Sequence, residues 1–419
     1  MRRKIFFAPL AEPGGVSPRP PAGGKEGVIS FPYKIDFFFN IFIKCTLQFY
    51  IFIRNHNHKM FSKLAMLEHD NAIVKPRAPR PPAAPKPKPN INEISGCYEY
   101  EKYVCRTSEE IDTMLETYGV AIIPEVLNND ECDRLFEGVF DSLEFLTKNT
   151  ENPIVKNNSE TWKNFKTLFP LHSMLVQYWN IGNTQCIWDV RQNPKVVDIF
   201  SKIYHEPHED LLVSYDAVSF HFPPEVVKFG WNRNNTWYHT DQSFTCNKRE
   251  CIQGWVTAKD VNIGDATLAF LEGSHLFHGL LAKQFQKTDK SDWCKLTEEE
   301  FMFYKEQHCT EKKIFCPKGS LVLWDSRTIH CGSEAHKERE IPNFRCVVYV
   351  CYKPRSMCTP ANLKKKQKAF NDKRMTTHDP CKVRLFGKQP RTYGNPLPTN
   401  ISELEFPVLS DLGKRLAGF

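Results

Sequence analysis

The chain has 419 residues, of which 41% are hydrophobic and 13% aromatic, so it can bury a sizeable core and is not a wholly disordered protein. Its formal net charge is +7, and the positive excess is local, because the stretch from Lys353 to Gly394 holds twelve Lys or Arg against two Asp. The 15 cysteines include no C-x-x-C pair, which argues against a disulfide-framed secreted domain and indicates reduced thiols in a cytoplasmic protein.

Residues 1–70 are predicted to be a leader that lies outside the folded domain. Within it, Phe37 to Ile53 is an apolar run at the short limit for a membrane-spanning helix, and Lys44 interrupts it. The run suits a marginal anchor, an interfacial helix or a mis-assigned start. We favour the mis-assigned start and expect no membrane partner. Residues 71–95 form a Pro-rich basic linker that cannot pack a core.

The folded domain is predicted to span residues 96–355, with helices in its first part. The Thr-Ser-Glu-Glu sequence at 107–110 predicts a helix start. Apolar residues recur at helical spacing over 132–146 and predict a second helix. Pro194 predicts the first turn of a third helix. Between the first two helices, residues 119–123 form a short β-like run.

From about residue 211 onward, short apolar runs alternate with turn residues. This spacing is typical of an antiparallel β-sandwich or barrel. We therefore expect an α+β fold with a mainly β core and N-terminal helices packed on it. Residues 356–419 are predicted to be a basic C-terminal extension, and a solvated tail is the expected form of such a run.

Three residues form a candidate metal site. In an extended segment, residues two apart point to the same side, so His239 and Asp241 of Trp-Tyr-His-Thr-Asp can present an imidazole and a carboxylate together. His330, just past a predicted strand, supplies a third ligand. Two imidazoles and one carboxylate form the facial triad of non-haem iron(II) oxygenases. The alternative for the tripeptide alone is a polar turn with a hydrogen-bonded histidine.

Arg345 is the candidate partner for an organic co-substrate. It shares one face of a predicted strand with Val347, Tyr349 and Cys351. A guanidinium that points into a β-core needs a partner, and a bidentate carboxylate suits it. We interpret that partner as the distal carboxylate of 2-oxoglutarate. The alternative is an edge arginine that faces solvent.

These segments together resemble the phytanoyl-CoA dioxygenase-like family of Fe(II)/2-oxoglutarate oxygenases over roughly residues 105–355. The resemblance rests on YGVAIIPEVLNNDECDRL, WYHTD, NIGDATLAFLEGSH, KGSLVLWDSRTIHCGS and NFRCVVYVCY, in that order. It implies a double-stranded β-helix (jelly-roll) core that binds Fe(II) through His239, Asp241 and His330. It also implies 2-oxoglutarate as co-substrate beside Arg345, with Trp255 facing the cofactor pocket by analogy. Core packing is the alternative role for Trp255.

One spacing departs from the family pattern. The arginine follows the distal histidine by fifteen residues instead of about ten. The charged loop at 334–340 fills the gap, and we interpret it as a surface insertion. Arg339 in this loop is a less suitable substitute for Arg345.

The substrate is predicted to be a small molecule that is oxidised with O2. Lys228 and Arg233, in the loop before the metal motif, would suit an anionic substrate, and solvated loop charge is their alternative role. Two other functions remain open. One is an oxygenase of the same fold that acts on nucleic-acid bases or protein side chains, aided by the basic C-terminal segment. The other is a jelly-roll binding protein without activity, although the intact triad argues against it.

Overall fold

The structure is a computed structural model that describes residues 94–233 and 236–419. The predicted leader, which contains the apolar run, lies outside the described residues. Most of the predicted linker does so too, and only its end is described. Within the described ranges, no helix combines the length and the apolar character needed to cross a membrane. The cytoplasmic location stays a prediction.

The first helices begin where the sequence offers capping groups. Thr107 and Asn128 each accept a hydrogen bond from the amide three residues later, where a glutamate bonds back to the cap. Such capping boxes satisfy amides that have no partner within the helix. Asn193 caps the third predicted helix, so all three predicted helices are confirmed. The α-helices of the described ranges are α1 (Ser108–Tyr118), α2 (Asn129–Thr147), α3 (Gln185–Arg191), α4 (Pro194–Tyr204), α5 (Pro224–Val227), α6 (His278–Gln284), α7 (Glu298–Glu306), α8 (Pro360–Asn371) and α9 (Asp411–Ala417).

The strands of the described ranges form two sheets. One sheet has the order β1-β10-β8-β12-β6-β9, and the other has the order β2-β11-β7-β13-β5-β3, with β4 also paired to β13. All neighbours are antiparallel except β1 and β10. The strands are β1 (Tyr98–Glu99), β2 (Val120–Ile123), β3 (Leu175–Val176), β4 (Leu211–Val213), β5 (Val218–His221), β6 (His239–Thr240), β7 (Ile252–Thr257), β8 (Thr267–Leu271), β9 (Cys294–Lys295), β10 (Glu311–Ile314), β11 (Leu321–Asp325), β12 (His330–Ser333) and β13 (Arg345–Pro354).

The two sheets pack with their inner faces together. Phe270 of one sheet shares a buried cluster with Trp255 and Val322 of the other. Alternate residues such as Leu323 point to the opposite face, where they pack with Leu135 and other residues of α2, because side chains alternate across a strand. This arrangement confirms the predicted mixture of β-sheets and N-terminal helices.

The C-terminal residues differ from the predicted solvated tail. Leu404 and Leu416 are part of the main hydrophobic core, and Lys353 pairs with Asp379 in a buried ion pair at 2.9 Å. The described residues from 94 onward belong to one compact unit. Some basic residues of this segment, such as Lys353, are therefore buried inside the fold, and apolar residues of the segment pack in the core.

Candidate metal centre

Neighbouring strands bring the predicted triad together. His239 on β6 and His330 on β12 are directly paired across the ladder, and their ring centroids lie 4.4 Å apart. Asp241 follows β6, and its carboxylate oxygens lie 3.7 Å from His239 Nε2 and 3.4 Å from His330 Nε2. One ligand atom from each residue lies within 4.8 Å of the others. The three donors therefore converge on one point.

Backbone carbonyls fix the tautomers of both histidines. His239 Nδ1 lies 3.2 Å from the carbonyl oxygen of Trp237, and His330 Nδ1 lies 2.9 Å from that of Thr328. A carbonyl oxygen only accepts, so each Nδ1 carries the proton and donates it. Each Nε2 then keeps a lone pair directed at the shared point, as metal-binding histidines require.

The protonation states also suit a metal ion. Burial alone would raise the pKa of the Asp241 carboxyl, but His378 and the two triad imidazoles hold that pKa well below its usual value. Burial lowers the pKa of His330, and His239 lowers it further. Asp241 is therefore ionised and His330 neutral at physiological pH, which is the state in which both can act as ligands.

Gln253 orients the carboxylate of Asp241 and was not among the residues predicted from the sequence. Its Nε2 donates to Asp241 Oδ2 at 3.0 Å and to Ser326 Oγ at 3.2 Å. The Asp241 amide donates to the carbonyl of Ser326 at 3.0 Å. Because Gln253 lies two residues before Trp255 on β7, strand alternation places both on the inner face, and this signal could have identified it.

Arg345 points into the space between the sheets, as predicted. Its Nε donates to Ser219 Oγ and its Nη1 to the carbonyl of Ala266, both at 3.0 Å. Its guanidinium lies 5.4 Å from the ring centre of Trp255. Both bonded acceptors are neutral, and Arg345 is in none of the ion pairs among the described residues. Trp255 Nε1 is buried without a hydrogen-bond partner in the same ranges.

The loop at 334–340 is not the surface insertion that was predicted. His336 and Arg339 are both buried. Arg339 donates to Glu225 Oε1 at 2.7 Å and to Asp265 Oδ1 at 2.9 Å. Two carboxylates compensate its charge, so burial is tolerated. Arg339 therefore has no free charge with which to replace Arg345.

Two further buried histidines lie outside the triad. His275 Nε2 bonds to the carbonyl of Glu116 at 3.0 Å, and His278 Nε2 to that of Gln242 at 3.2 Å. Their bonds to backbone carbonyls indicate structural roles.

Two histidines and one aspartate on a two-sheet β-core form the ligand arrangement of the non-haem iron oxygenase class. The model of the phytanoyl-CoA dioxygenase (PhyH) family matches residues 115–339, more than half of the 419-residue chain, and the chain belongs to this family. The predicted family resemblance is confirmed.

Curated relatives match the chain over part of its length. Ava biosynthesis cluster protein O of Aspergillus versicolor is 26% identical over 212 residues, which cover 48% of this chain and 65% of that protein. A proposed phytanoyl-CoA dioxygenase of Dictyostelium discoideum is 29% identical over 133 residues, which cover 30% of this chain and 35% of that protein. The matches thus span less than two thirds of either relative.

Solved structures are similar at low identity. A proposed oxidoreductase of Salmonella typhimurium LT2 has a TM-score of 0.50 at 15% identity, covering 78% of this chain and 85% of that one. The epimerase SnoN, solved with Fe3+, alpha ketoglutarate and nogalamycin RO, has a TM-score of 0.38 at 12% identity, covering 73% of this chain and 96% of that one. The first of these likenesses concerns the fold alone.

Proposed function

We propose that this chain is an Fe(II)/2-oxoglutarate-dependent dioxygenase that hydroxylates a small-molecule substrate, with His239, Asp241 and His330 as the iron ligands. One observation carries the proposal. Two imidazoles with fixed tautomers and one ionised carboxylate converge from β6, its following residue and β12. Two nitrogen donors and one oxygen donor on one side leave positions for a co-substrate and O2.

We also propose that the two sheets form a double-stranded β-helix. From β5 to β8, and again from β10 to β13, successive strands alternate between the two sheets, as they do in a jelly roll. Strands β5, β7, β11 and β13 belong to one sheet and β6, β8, β10 and β12 to the other. Each sheet thus pairs strands that are distant in sequence, which is typical of an eight-stranded jelly roll.

Arg345 and Trp255 are the proposed binding residues for 2-oxoglutarate. A buried guanidinium bonded to neutral acceptors suits a dicarboxylate, because a second carboxylate would compensate its charge. The orphaned indole N–H of Trp255 could donate to the same ligand. When bound, iron and 2-oxoglutarate supply the oxidative chemistry that protein side chains cannot perform. The chain orients the ligands, keeps His330 neutral and buries both histidines away from bulk water.

The alternative functions receive less support. The fixed tautomers of both histidines and the hydrogen-bonded Asp241 are features of a metal site, so they favour the iron enzyme over a binding protein that holds no metal. Recognition of nucleic acid was predicted to use the basic C-terminal segment, but Lys353 and Lys366 of that segment are buried, and Lys382 pairs with Glu250. A continuous basic surface is what nucleic-acid binding requires.

The test of the proposed function is spectroscopic. Anaerobic protein with Fe(II) should bind 2-oxoglutarate and show a weak visible charge-transfer band that is absent without either component. Well-folded, iron-loaded protein that shows no band would contradict the cofactor assignment.

Replacing Arg345 with lysine should raise the KM for 2-oxoglutarate by about 10- to 100-fold, because lysine keeps the charge but cannot form two parallel bonds to a carboxylate. Steady-state turnover against 2-oxoglutarate concentration measures the change, and iron affinity should stay within about threefold of wild type. Lys202→Arg, on the surface of α4, is a control. An unchanged KM would show that another residue binds the co-substrate.

Replacing Gln253 with leucine should weaken iron binding by about 10- to 100-fold, since residues that orient ligands typically contribute this much. The carboxylate of Asp241 would lose a 3.0 Å bond. Competition with a metal chelator measures the affinity. Gln367→Leu removes a glutamine amide that bonds to Gly418 in the C-terminal segment, and it should leave iron affinity unchanged.

A further inference from the structure

A cationic cleft lies beside the metal centre and remains without a role. Its volume is about 460 Å³, within the range of small-molecule sites (about 300–1,000 Å³). Lys166, Arg233 and Arg391 line it, and no aspartate or glutamate does. The three cations come from the 3-10 helix before β3, the loop before β6 and the C-terminal segment. The fold therefore brings together positive charges from distant parts of the sequence.

Stacked rings connect this cleft to the triad. His172 lines the cleft, and its ring stacks on Trp237 with centroids 4.3 Å apart. Trp237 in turn stacks on His239 at 4.8 Å. One indole ring thus separates the cleft wall from a proposed iron ligand. The cleft wall at His172 is thus two ring spacings from His239, and no triad residue lines the cleft itself.

The positive charges of the cleft have no local compensation. Lys166 Nζ lies 4.3 Å from the centre of the Phe229 ring, also in the cleft. Among the described residues, none of these three cations is in an ion pair. Glu334 is an acid that interacts with Arg233, but burial raises the pKa of the Glu334 carboxyl to about 7, which weakens its negative charge at neutral pH. These three cations could therefore pair with an anionic ligand.

The backbone of the cleft is held in a rare conformation. Phe169, His172, Ser173 and Tyr393 all line the cleft and have φ between 49° and 60°. Residues with side chains seldom adopt this left-handed region, and such residues cluster at binding sites. The aromatic rings of Phe169 and Tyr393 line the cleft together with the three cations. The wall therefore combines aromatic surface with positive charge.

We propose that this cleft binds the molecule that is oxidised, and that this molecule is a small organic acid with an aromatic or apolar body and one carboxylate or phosphate group. The acid group faces Arg233 and Arg391, and the body packs against the rings of Phe169 and Phe229. The proposal rests on the proposed function for the oxidation, but the binding of an acid does not depend on it. The C-terminal segment then has a direct part in substrate recognition through Arg391.

Calorimetric titration of the full chain tests this proposal with defined probes. The probes are 3-phenylpropionate, phenyl phosphate and the neutral 3-phenylpropionamide. At least one acid should bind about tenfold more tightly than the amide, because each charge-assisted bond contributes about this factor. Comparison of the two acids distinguishes a carboxylate site from a phosphate site. If neither acid binds more tightly than the amide, the proposal is wrong.

A matched pair of variants locates the binding. Arg391→Ala should weaken acid binding about tenfold and leave amide binding unchanged. Lys388→Ala removes an exposed charge from the same segment, outside the cleft, and should change neither. If both variants weaken acid binding equally, the acid is attracted by the overall positive charge of the segment and not by the cleft. That result would overturn the assignment of the cleft.

The same titration separates this proposal from the iron assignment. Acid preference that persists in protein with no charge-transfer band would support the cleft while the proposed function fails. A normal band without acid preference would support the iron site and overturn the cleft. With both intact, the acid that binds should perturb the band of the iron-loaded protein, and Arg391→Ala should require about tenfold more acid for the same perturbation.

Discussion

Replacing His239 with alanine is expected to abolish the charge-transfer band and to lower 2-oxoglutarate turnover at least about 1,000-fold, because metal-centred catalysis contributes several kcal/mol to the barrier reduction. The variant leaves only His330 and Asp241 to hold the ion. It also removes one of the imidazoles that hold the pKa of Asp241 low. Anaerobic absorption and succinate formation measure the two effects.

A second histidine provides the matched control for this variant. His208 follows α4, and its Nε2 lies 3.4 Å from the Asp198 carboxylate of that helix. Partly exposed pairs of this kind contribute little to stability. His208→Ala should keep both the band and turnover. Full activity of His239→Ala in protein with wild-type thermal stability would exclude His239 as a ligand.

Local features of this fold could be predicted from the sequence because their causes are local. The cap at Thr107 and the apolar spacing from Cys132 to Leu146 specify α1 and α2 over a few neighbouring residues. The His-x-Asp spacing likewise places two ligands on one side of an extended segment. In each case the interacting groups are within four residues of one another, so strand pairing need not be known.

The meeting of His239 and His330 depends on strand pairing across 91 residues, which periodicity does not specify. The pairing of β6 with β12 sets their 4.4 Å separation. The sequence alone could name His330 as a ligand only by its place after a strand and by the family resemblance. Gln253 was missed for a related reason, because its bond to Asp241 joins different sheets.

The burial of charged residues was the least predictable feature. Arg339 and Lys353 look like surface charges in the sequence, but each meets carboxylates from other elements: Glu225 and Asp265 for Arg339, and Asp379 for Lys353. A charge run signals solvent exposure only when no partner is near. Long-range partners therefore decide whether a basic segment is a tail or part of the core.

Lys366 is the exception among these buried cations, since no carboxylate of the described residues pairs with it. Its Nζ donates to the carbonyl of Val213 and lies 3.7 Å from the ring centre of Tyr215. Burial lowers the pKa of Lys366 to about 7. Between pH 7 and the ordinary lysine pKa near 10.5, the unfolded chain binds a proton that the folded chain does not. Stability should therefore rise with pH through this window and carry the full penalty below it.

Replacing Lys366 with methionine should therefore stabilise the protein by about 1–3 kcal/mol at pH 6.5, because an unpaired buried cation is replaced by an apolar chain of similar length. The gain should shrink toward pH 10, because Lys366 is then neutral in the folded wild-type chain and no charge is buried. At that pH the variant lacks the hydrogen bond to Val213, so its free energy of unfolding should be no higher than that of wild type. Urea unfolding at pH 6.5 and pH 10 measures both differences.

Lys365 offers a control on the same helix. It is exposed, and Lys365→Met removes the same charge one residue away, so it should change stability by less than about 0.5 kcal/mol at either pH. If the two variants behave alike, the effect comes from net charge and not from burial of Lys366. A destabilised Lys366→Met at pH 6.5 would mean that the bond to Val213 outweighs the penalty of burying the ammonium group, so that α8 is held to β4 by that charge-assisted contact.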